Sequence, residues 1–209
     1  TATESDYTLD ETIGELKVTK STKELKVESL NGEWPYDGNA HTKEQYKVTY
    51  GTEVLEGTEG QTEFELSTGD TVTVTPAATA TITHVAETTV DNAFTWTVEN
   101  ADYYTKGTDT VGKLTITPAT LTIVTESAEK EYDGSELKAE GSITGFVTPT
   151  GGAQETATFT VTGSQTEVGT SDNTYTLTWD GTATESDYTL DETIGELEVT
   201  KSTKELKGE

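Results

Sequence analysis

The sequence predicts an all-β protein built from tandem small domains, and three observations lead to that prediction. Short stretches alternate between apolar and polar residues, which is the pattern of half-buried strands. Threonine, which is β-branched and tolerates solvent on the outer face of a sheet, occupies 48 of the 209 positions. No segment carries the i, i+3, i+4 apolar stripe of an amphipathic helix, so we expect little helix.

The chain repeats its own opening. Residues 182–209 match residues 1–28 almost letter for letter. Two positions differ between the copies, namely Lys17 against Glu198 and Val27 against Gly208. Self-similarity of this kind is typical of a tandem array.

The repeat predicts four parts of the chain. They are the trailing strands of a preceding repeat (residues 1–21), a first β domain (22–118), a second β domain (119–201) and the start of the next repeat (202–209).

The first domain carries the apolar alternation of a complete module. Its segment Trp34-Pro35-Tyr36-Asp37-Gly38 predicts a turn, because Gly accepts positive φ and Asp can bond to its own backbone. Pro118 ends the last strand. The expected core residues are Leu25, Val27, Phe94, Trp96, Leu114 and Ile116.

The second domain repeats the first with deletions. Tyr132-Asp133-Gly134 matches the earlier Tyr-Asp-Gly turn at an offset of 96, whereas residues 172–179 match residues 91–98 at an offset of 81. The first domain therefore holds 15 extra residues between these two features. The expected core residues of the second domain are Leu121, Ile123, Tyr175, Leu177, Leu197 and Val199.

Two small folds fit these patterns. The favoured one is an Ig-like β-sandwich of roughly seven strands in each domain. The alternative is a β-grasp-like module with one short helix. The joints between the domains are short, and Pro118 stiffens the first, so we expect an extended array.

Composition excludes several classes of function. The formal net charge is −26 at pH 7, and all 13 basic residues are Lys. That balance argues against binding to nucleic acid or to anionic membranes, which requires basic patches. The chain has no Cys and no run of 18 apolar residues, so the sequence predicts neither disulfides nor a membrane span.

The sequence predicts no catalytic residues and no enzymatic activity. His41 and His84 lie in different segments without a second His or a Cys nearby, which favours ordinary surface histidines. The many acidic pairs are expected in a chain with 39 carboxylates. No cofactor is expected, although the loops 99–102 and 185–187 offer oxygen ligands for a structural calcium ion.

Two further candidates concern binding and cross-linking. Trp34, Pro35 and Tyr36 form an aromatic cluster that predicts either contact with a sugar or protein ligand, or packing at a domain corner. An isopeptide bond between Lys26 and Asn92 is a weaker candidate, because Thr122 replaces the lysine in the second domain.

Several short motifs of the second domain occur in a fixed order. They are Tyr132-Asp133-Gly134, residues 141–146 (GSITGF), Val168-Gly169, Tyr175-Thr176-Leu177, Asp187-Tyr188 and residues 195–200 (GELEVT). This order resembles the YDG and MBG-type repeats of cell-wall-anchored surface proteins of Gram-positive bacteria. The resemblance covers residues 22–201 in two copies and implies an extracellular adhesin or stalk repeat.

The resemblance and the acidic composition together predict a structural function. We expect an extended stalk on the bacterial cell surface that projects a distal binding head, with adjacent repeats of the same chain as its partners. The alternative is that the repeats themselves bind host glycans, mucin or extracellular proteins multivalently. Residues 1–20 are expected to pack weakly against the first domain or to exchange with the matching strands of another chain.

Overall fold

The structure is a computed structural model, and it describes residues 12–204. It is all-β, as the alternation of polar and apolar residues predicts. Within the described residues the only helical turns are short 3-10 turns at Val85–Glu87, Ala101–Tyr103 and Glu185–Asp187. None of these residues lies in a helix that is long and apolar enough to cross a membrane.

Ten strands lie between residues 22 and 118, which we name the N-terminal module. They are β1 (Glu24–Ser29), β2 (Gly32–Pro35), β3 (Tyr46–Tyr50), β4 (Glu53–Glu56), β5 (Glu63–Glu65), β6 (Thr71–Pro76), β7 (Val90–Asp91), β8 (Phe94–Val98), β9 (Thr105–Lys106) and β10 (Lys113–Thr117). They form three sheets, in the orders β4-β3-β1-β9, β2-β10-β7 and β5-β6-β8.

Eight strands lie between residues 119 and 201, the C-terminal module. They are β11 (Ala119–Thr125), β12 (Ala128–Glu131), β13 (Gly141–Thr144), β14 (Thr158–Val161), β15 (Gly169–Asp172), β16 (Tyr175–Thr178), β17 (Tyr188–Thr193) and β18 (Glu196–Thr200). Their sheets have the orders β13-β11-β17, β12-β18-β15 and β14-β16.

The two modules share one topology. In each, the first strand pairs antiparallel with one neighbour and parallel with a late strand, β9 or β17. The last strand of each pairs parallel with the second strand and antiparallel with a short strand. The extra residues of the N-terminal module supply β4 and β5, which have no counterpart in the C-terminal module.

Eight of the expected core residues are buried, and they alternate with exposed residues along β1, β10, β11 and β18. They are Leu25, Val27, Leu114, Ile116, Leu121, Ile123, Leu197 and Val199. The other four, Phe94, Trp96, Tyr175 and Leu177, are only half-buried. Tyr175 and Leu177 lie on a two-stranded sheet, so no third strand extends the surface beside them.

A buried asparagine holds the same place in both modules. Asn92 Nδ2 donates to the carbonyl oxygens of Leu30 and Lys43 at 2.9 and 2.7 Å. Asn173 Nδ2 donates to the carbonyl of Glu126 at 2.9 Å. Both amides thereby satisfy backbone groups of loops that no sheet pairs. Because the Asn92 amide makes these bonds and Lys26 is exposed, the geometry gives no support to a covalent link between the two side chains.

The hydrophobic core does not stop at the module boundary. One cluster lies inside the N-terminal module and includes Leu25, Tyr46 and Val72. A second cluster combines residues of both modules, namely Tyr36, Ile82, Leu114 and Ile116 with Leu121, Ala183 and Tyr188. Only Pro118 separates β10 from β11, so the two modules meet directly at this second cluster.

The duplicated segment adopts two different states. In the C-terminal module, Leu197 is fully buried in β18. Its counterpart Leu16 is 101% exposed, and residues 12–20 form no strand. The expectation that residues 1–20 pack weakly or exchange falls partly on residues 1–11, which lie outside the described residues. For residues 12–20, the same sequence that completes one module is exposed here.

Candidate functional site

The predicted turn at Tyr36-Asp37-Gly38 lies at the joint between the modules. It follows β2, and the Tyr36 backbone N–H donates to Thr117 O at 2.8 Å, beside the point where the chain enters the C-terminal module. Gly38 has a φ of +74°, which favours glycine, and a Cβ there would lie 2.5 Å from Pro149 Cγ. The turn is therefore pressed against a loop of the other module.

A buried carboxylate, that of Glu155, connects the two modules. Glu155 is 8% exposed, and its Oε1 accepts a 2.6 Å hydrogen bond from the Tyr36 hydroxyl. Its Oε2 accepts a 2.5 Å bond from the Tyr188 hydroxyl. The two tyrosine rings meet edge to face, with centroids 5.6 Å apart. Bonds to a carboxylate are stronger than bonds between neutral groups, so this triad fixes the orientation of both rings.

Burial and the neighbouring carboxylate both favour the neutral form of these tyrosines. Burial raises the pKa of Tyr36 and of Tyr188 well above the ordinary tyrosine value, and the hydrogen bond to Glu155 raises each further. The joint therefore holds both hydroxyls as donors.

A histidine and an aspartate form a second polar contact across the joint. Asp187 is fully buried; its Oδ2 lies 2.7 Å from His84 Nδ1, and its Oδ1 accepts a 2.8 Å bond from the Val85 backbone N–H. The 3-10 turns at Val85–Glu87 and Glu185–Asp187 bring these residues together. His84 and Asp187 are 103 residues apart, so no local spacing of residues predicts this contact.

Aromatic and polar contacts complete the joint. Trp179 stacks on Tyr188 at 6.0 Å, and Phe146 meets the same ring edge to face at 5.9 Å. The Thr150 backbone N–H donates to Asn39 Oδ1 at 2.9 Å. The two rings cover Tyr188, whose hydroxyl bonds to the buried carboxylate, and hydrogen bonds in such a low-dielectric interior are stronger than in water.

The three predicted ligand-contact residues differ in solvent exposure. Tyr36 is buried in the joint, Trp34 is half-buried and stacks on His41 at 4.9 Å, and Pro35 is exposed. His41 Nε2 in turn lies 2.9 Å from Asp37 Oδ1. The packing alternative accounts for Tyr36, and a ligand-contact role for Trp34 and Pro35 stays a prediction.

The predicted calcium loops direct their side chains to protein partners. Glu99 Oε2 accepts from the Thr71 N–H, and Asn100 Nδ2 donates to Asp70 Oδ1. Asp187 uses both oxygens within the joint. Residues 12–204 contain no group of three or more His, Cys, Asp or Glu side chains placed to hold a metal ion. A structural calcium ion stays a prediction.

A surface groove lies beside the aromatic strand of each module. In the C-terminal module, its lining includes Tyr175, Leu177, Trp179, Leu190 and Ile194, between β16 and β17. The Tyr175 hydroxyl donates to Glu192, and burial together with that bond raises the pKa of Tyr175 to about 12.

The groove of the N-terminal module occupies the equivalent place, beside β8 and β9. There the Lys106 ammonium lies 4.6 Å from the centre of the Trp96 ring, and Trp96 Nε1 donates to Asp109. The groove of the C-terminal module has no lysine among its lining residues. No ammonium group therefore covers its aromatic side chains as Lys106 covers Trp96.

Comparison with known proteins returned no match. No protein-family description, curated protein or solved structure matches this chain.

Proposed function

We propose that this chain is a section of a structural stalk on a bacterial cell surface, made of Ig-like sandwich modules of the YDG/MBG type, and that it holds a distal adhesive head away from the cell wall. The observation that carries the proposal is the buried joint, in which Glu155 of one module binds Tyr36 of the other. A stalk needs modules whose relative orientation is fixed, and buried hydrogen bonds to a charged group resist bending.

The length of the connection supports the same function. One residue, Pro118, separates β10 from β11, so the chain leaves one module and enters the next without a flexible tether. Inter-module contacts with a shared apolar core limit the relative motion that is otherwise expected between domains.

The surface chemistry is also suited to a stalk. A net charge of −26 keeps neighbouring molecules apart and soluble. Exposed threonines on the outer faces of the strands tolerate water without needing a partner. The chain therefore combines a small apolar core with a large repulsive surface.

Small-angle X-ray scattering tests the proposal directly. The full chain is expected to give the distance distribution of an elongated particle with two modules in a fixed arrangement. The variant Glu155→Ala is expected to lose that fixed arrangement and to fit only a mixture of orientations. A globular scattering profile for the unmodified chain would contradict the stalk.

The groove beside β16 favours a second candidate function, the binding of host glycans. Tyr175 and Trp179 present aromatic surface, and Glu185 and Glu192 supply acceptors for sugar hydroxyls at the edge of the groove. A glycan array probed with the full chain and with a multimer of it separates the two functions. Binding that increases with multimer size and disappears in Tyr175→Ala supports this candidate, whereas silence from both probes supports the stalk alone.

A further inference from the structure

The Tyr-Asp-Gly turn occupies the same position in both modules, but only one copy is covered. The Tyr132 backbone N–H donates to Thr200 O at 2.9 Å, as the Tyr36 N–H does to Thr117 O. Tyr36 is 4% exposed because the C-terminal module packs on it, whereas Tyr132 is 39% exposed. We define residues 131–134 as the exit end of the C-terminal module. This end therefore exposes a second copy of the Tyr-Asp-Gly turn, whose first copy at residues 36–38 lies in the joint between the modules.

The opposite end of the N-terminal module has an exposed tyrosine at a corresponding position. Tyr103 is 55% exposed and directly precedes the buried Tyr104 and strand β9. In the C-terminal module the residue before Tyr188 and β17 is Asp187, which is buried in the joint. Tyr103 therefore occupies the position that corresponds to Asp187, which contacts His84 across the first joint.

The segment Lys-Ser-Thr-Lys occurs twice, and each copy is attached to a different module end. In residues 20–23, the Ser21 N–H donates to Tyr103 O at 2.9 Å, and Ser21 Oγ accepts a 2.7 Å bond from the Tyr50 hydroxyl. In residues 201–204, Ser202 Oγ and the Thr203 N–H donate to Glu131 Oε1 at 2.7 and 2.5 Å.

These two sets of contacts do not compete with each other. A serine hydroxyl donates one hydrogen bond and accepts two, so one serine has the capacity to donate to Glu131 and to accept from Tyr50. The threonine of the segment binds Glu131 in the second copy, and its counterpart Thr22 makes no hydrogen bond within residues 12–204 in the first. One copy of the segment can therefore form both sets of hydrogen bonds at once, those to Tyr50 and Tyr103 of one module and those to Glu131 of the other.

We propose that the exit end of the C-terminal module docks on a second copy of this sequence, at the end of its N-terminal module where Tyr103 and the start of β1 lie. Lys-Ser-Thr-Lys lies between the two ends, and Tyr132 packs against Tyr103. This second joint rests on the proposed tandem array. Four residues, Lys201–Lys204, follow β18 before the position that matches the start of β1, against one residue at the first joint. The second joint therefore spans up to about 10 Å more chain, and the two tyrosine side chains fill that space.

The test uses a two-unit chain, residues 1–201 joined to residues 21–209, which keeps every residue of both joints. The natural sequence has no Cys, so single cysteines in place of Thr170 of the first unit and Glu65 of the second carry spin labels without side reactions. Both positions are exposed. Pulsed electron resonance is expected to give one narrow distance across the second joint. Replacing Glu131 and Tyr132 of the first unit by Ala is expected to broaden it, whereas the control Glu129→Ala leaves it narrow.

A broad distance in the unmodified two-unit chain would overturn the proposal, as would a narrow distance that survives the Glu131→Ala/Tyr132→Ala double variant. The same two label positions within a single unit report on the first joint. A narrow distance there combined with a broad one across the second joint rejects this inference and leaves the stalk intact. Broad distances in both places count against the stalk as well.

Discussion

The Tyr36 hydroxyl donates a 2.6 Å hydrogen bond to Glu155 Oε1, across 119 residues of chain and across the boundary between the two modules. The Tyr188 hydroxyl donates to the other oxygen of the same carboxylate. A buried charge of this kind is costly unless its hydrogen-bonding capacity is met. The carboxylate is satisfied only while both modules are in place, which couples their positions.

Removing that carboxylate destabilises the joint. Glu155→Ala leaves two buried hydroxyls without their acceptor and is expected to lower the free energy of unfolding by about 2–4 kcal/mol. Glu155→Gln keeps one acceptor oxygen and costs less. Urea unfolding followed by tryptophan fluorescence measures both variants. Glu167→Ala, an exposed substitution in the same module, serves as the control and is expected to change nothing. Equal losses in Glu155→Ala and in the control would show that the triad contributes nothing.

High pH destabilises the folded chain through the two tyrosines of the joint. The pKa values of Tyr36 and Tyr188 are raised by burial and by Glu155, so the folded state retains these protons above pH 10 while the unfolded state releases them. The folded state then binds more protons, and stability falls as pH rises above about 10, by up to about 1.4 kcal/mol per pH unit for each tyrosine.

Urea unfolding at a series of pH values between neutral and strongly alkaline measures this decline. The double variant Tyr36→Phe/Tyr188→Phe is expected to lose stability less steeply, because it lacks the two protons concerned. Tyr103→Phe, which removes an exposed hydroxyl, is expected to decline as the unmodified chain does. Identical slopes for the unmodified chain and the double variant would refute the assignment.

The two Tyr-Asp-Gly turns provide a matched pair of glycine substitutions. Gly38 and Gly134 have φ values of +74° and +80°, so Ala at either position pays the same backbone cost of about 1–2 kcal/mol. A Cβ at Gly134 meets nothing within 4 Å, whereas one at Gly38 lies 2.5 Å from Pro149 Cγ. Gly38→Ala is therefore expected to be the more destabilising in thermal melting and to loosen the joint in small-angle scattering. Equal effects of the two substitutions would mean that the contact with Pro149 is unimportant.

The exposed copy of the last strand is expected to exchange between chains. In β18, Glu198 lies beside Glu129 of β12, a like-charge pair that is unfavourable on one face of a sheet. The corresponding residue of the exposed copy is Lys17, which replaces that repulsion with attraction. We predict that the double variant Lys17→Cys/Glu129→Cys, refolded from urea at high protein concentration and oxidised, forms disulfide-linked dimers and higher oligomers.

Two other cysteine pairs control that experiment. Glu198→Cys/Glu129→Cys places the thiols on neighbouring strands of one chain, within reach of a disulfide, and is expected to remain monomeric. Lys17→Cys/Glu56→Cys pairs the same segment with an exposed site on the N-terminal module and is expected to form few oligomers. Monomers alone from the first pair, or equal oligomers from the Glu56 pair, would rule out exchange.

Much of the fold follows from local pattern. The alternation around Leu25 and Leu114 predicts strands with one buried face, and both residues are fully buried. The offsets between the two copies predict a shared topology, and the pairing of strands agrees with it. Phe94 and Trp96 follow the same alternation but are only half-buried, because alternation identifies a face and not the amount of material that covers it.

The joint was beyond the reach of local pattern. The aromatic cluster predicts corner packing for Tyr36, but Glu155 lies in a polar stretch with no periodicity and cannot be told apart from the surface acids. The oxygen-rich loop 185–187 predicts a calcium ligand at Asp187, whereas this carboxylate bonds to His84. In both cases the partner is more than 100 residues away in the chain, and only the packing of one module on the other brings the pair together.

A rigid joint predicts one fixed distance between the two modules of the unmodified chain. Spin labels on single cysteines at Glu65 and Thr170 place one probe on each module, and pulsed electron resonance gives the distribution of distances between them. If Tyr36, Glu155 and Tyr188 fix the modules as one body, the distribution is narrow and has one peak, and it broadens in Glu155→Ala. A broad distribution in the chain with the intact triad would contradict the rigid joint and the stalk built on it.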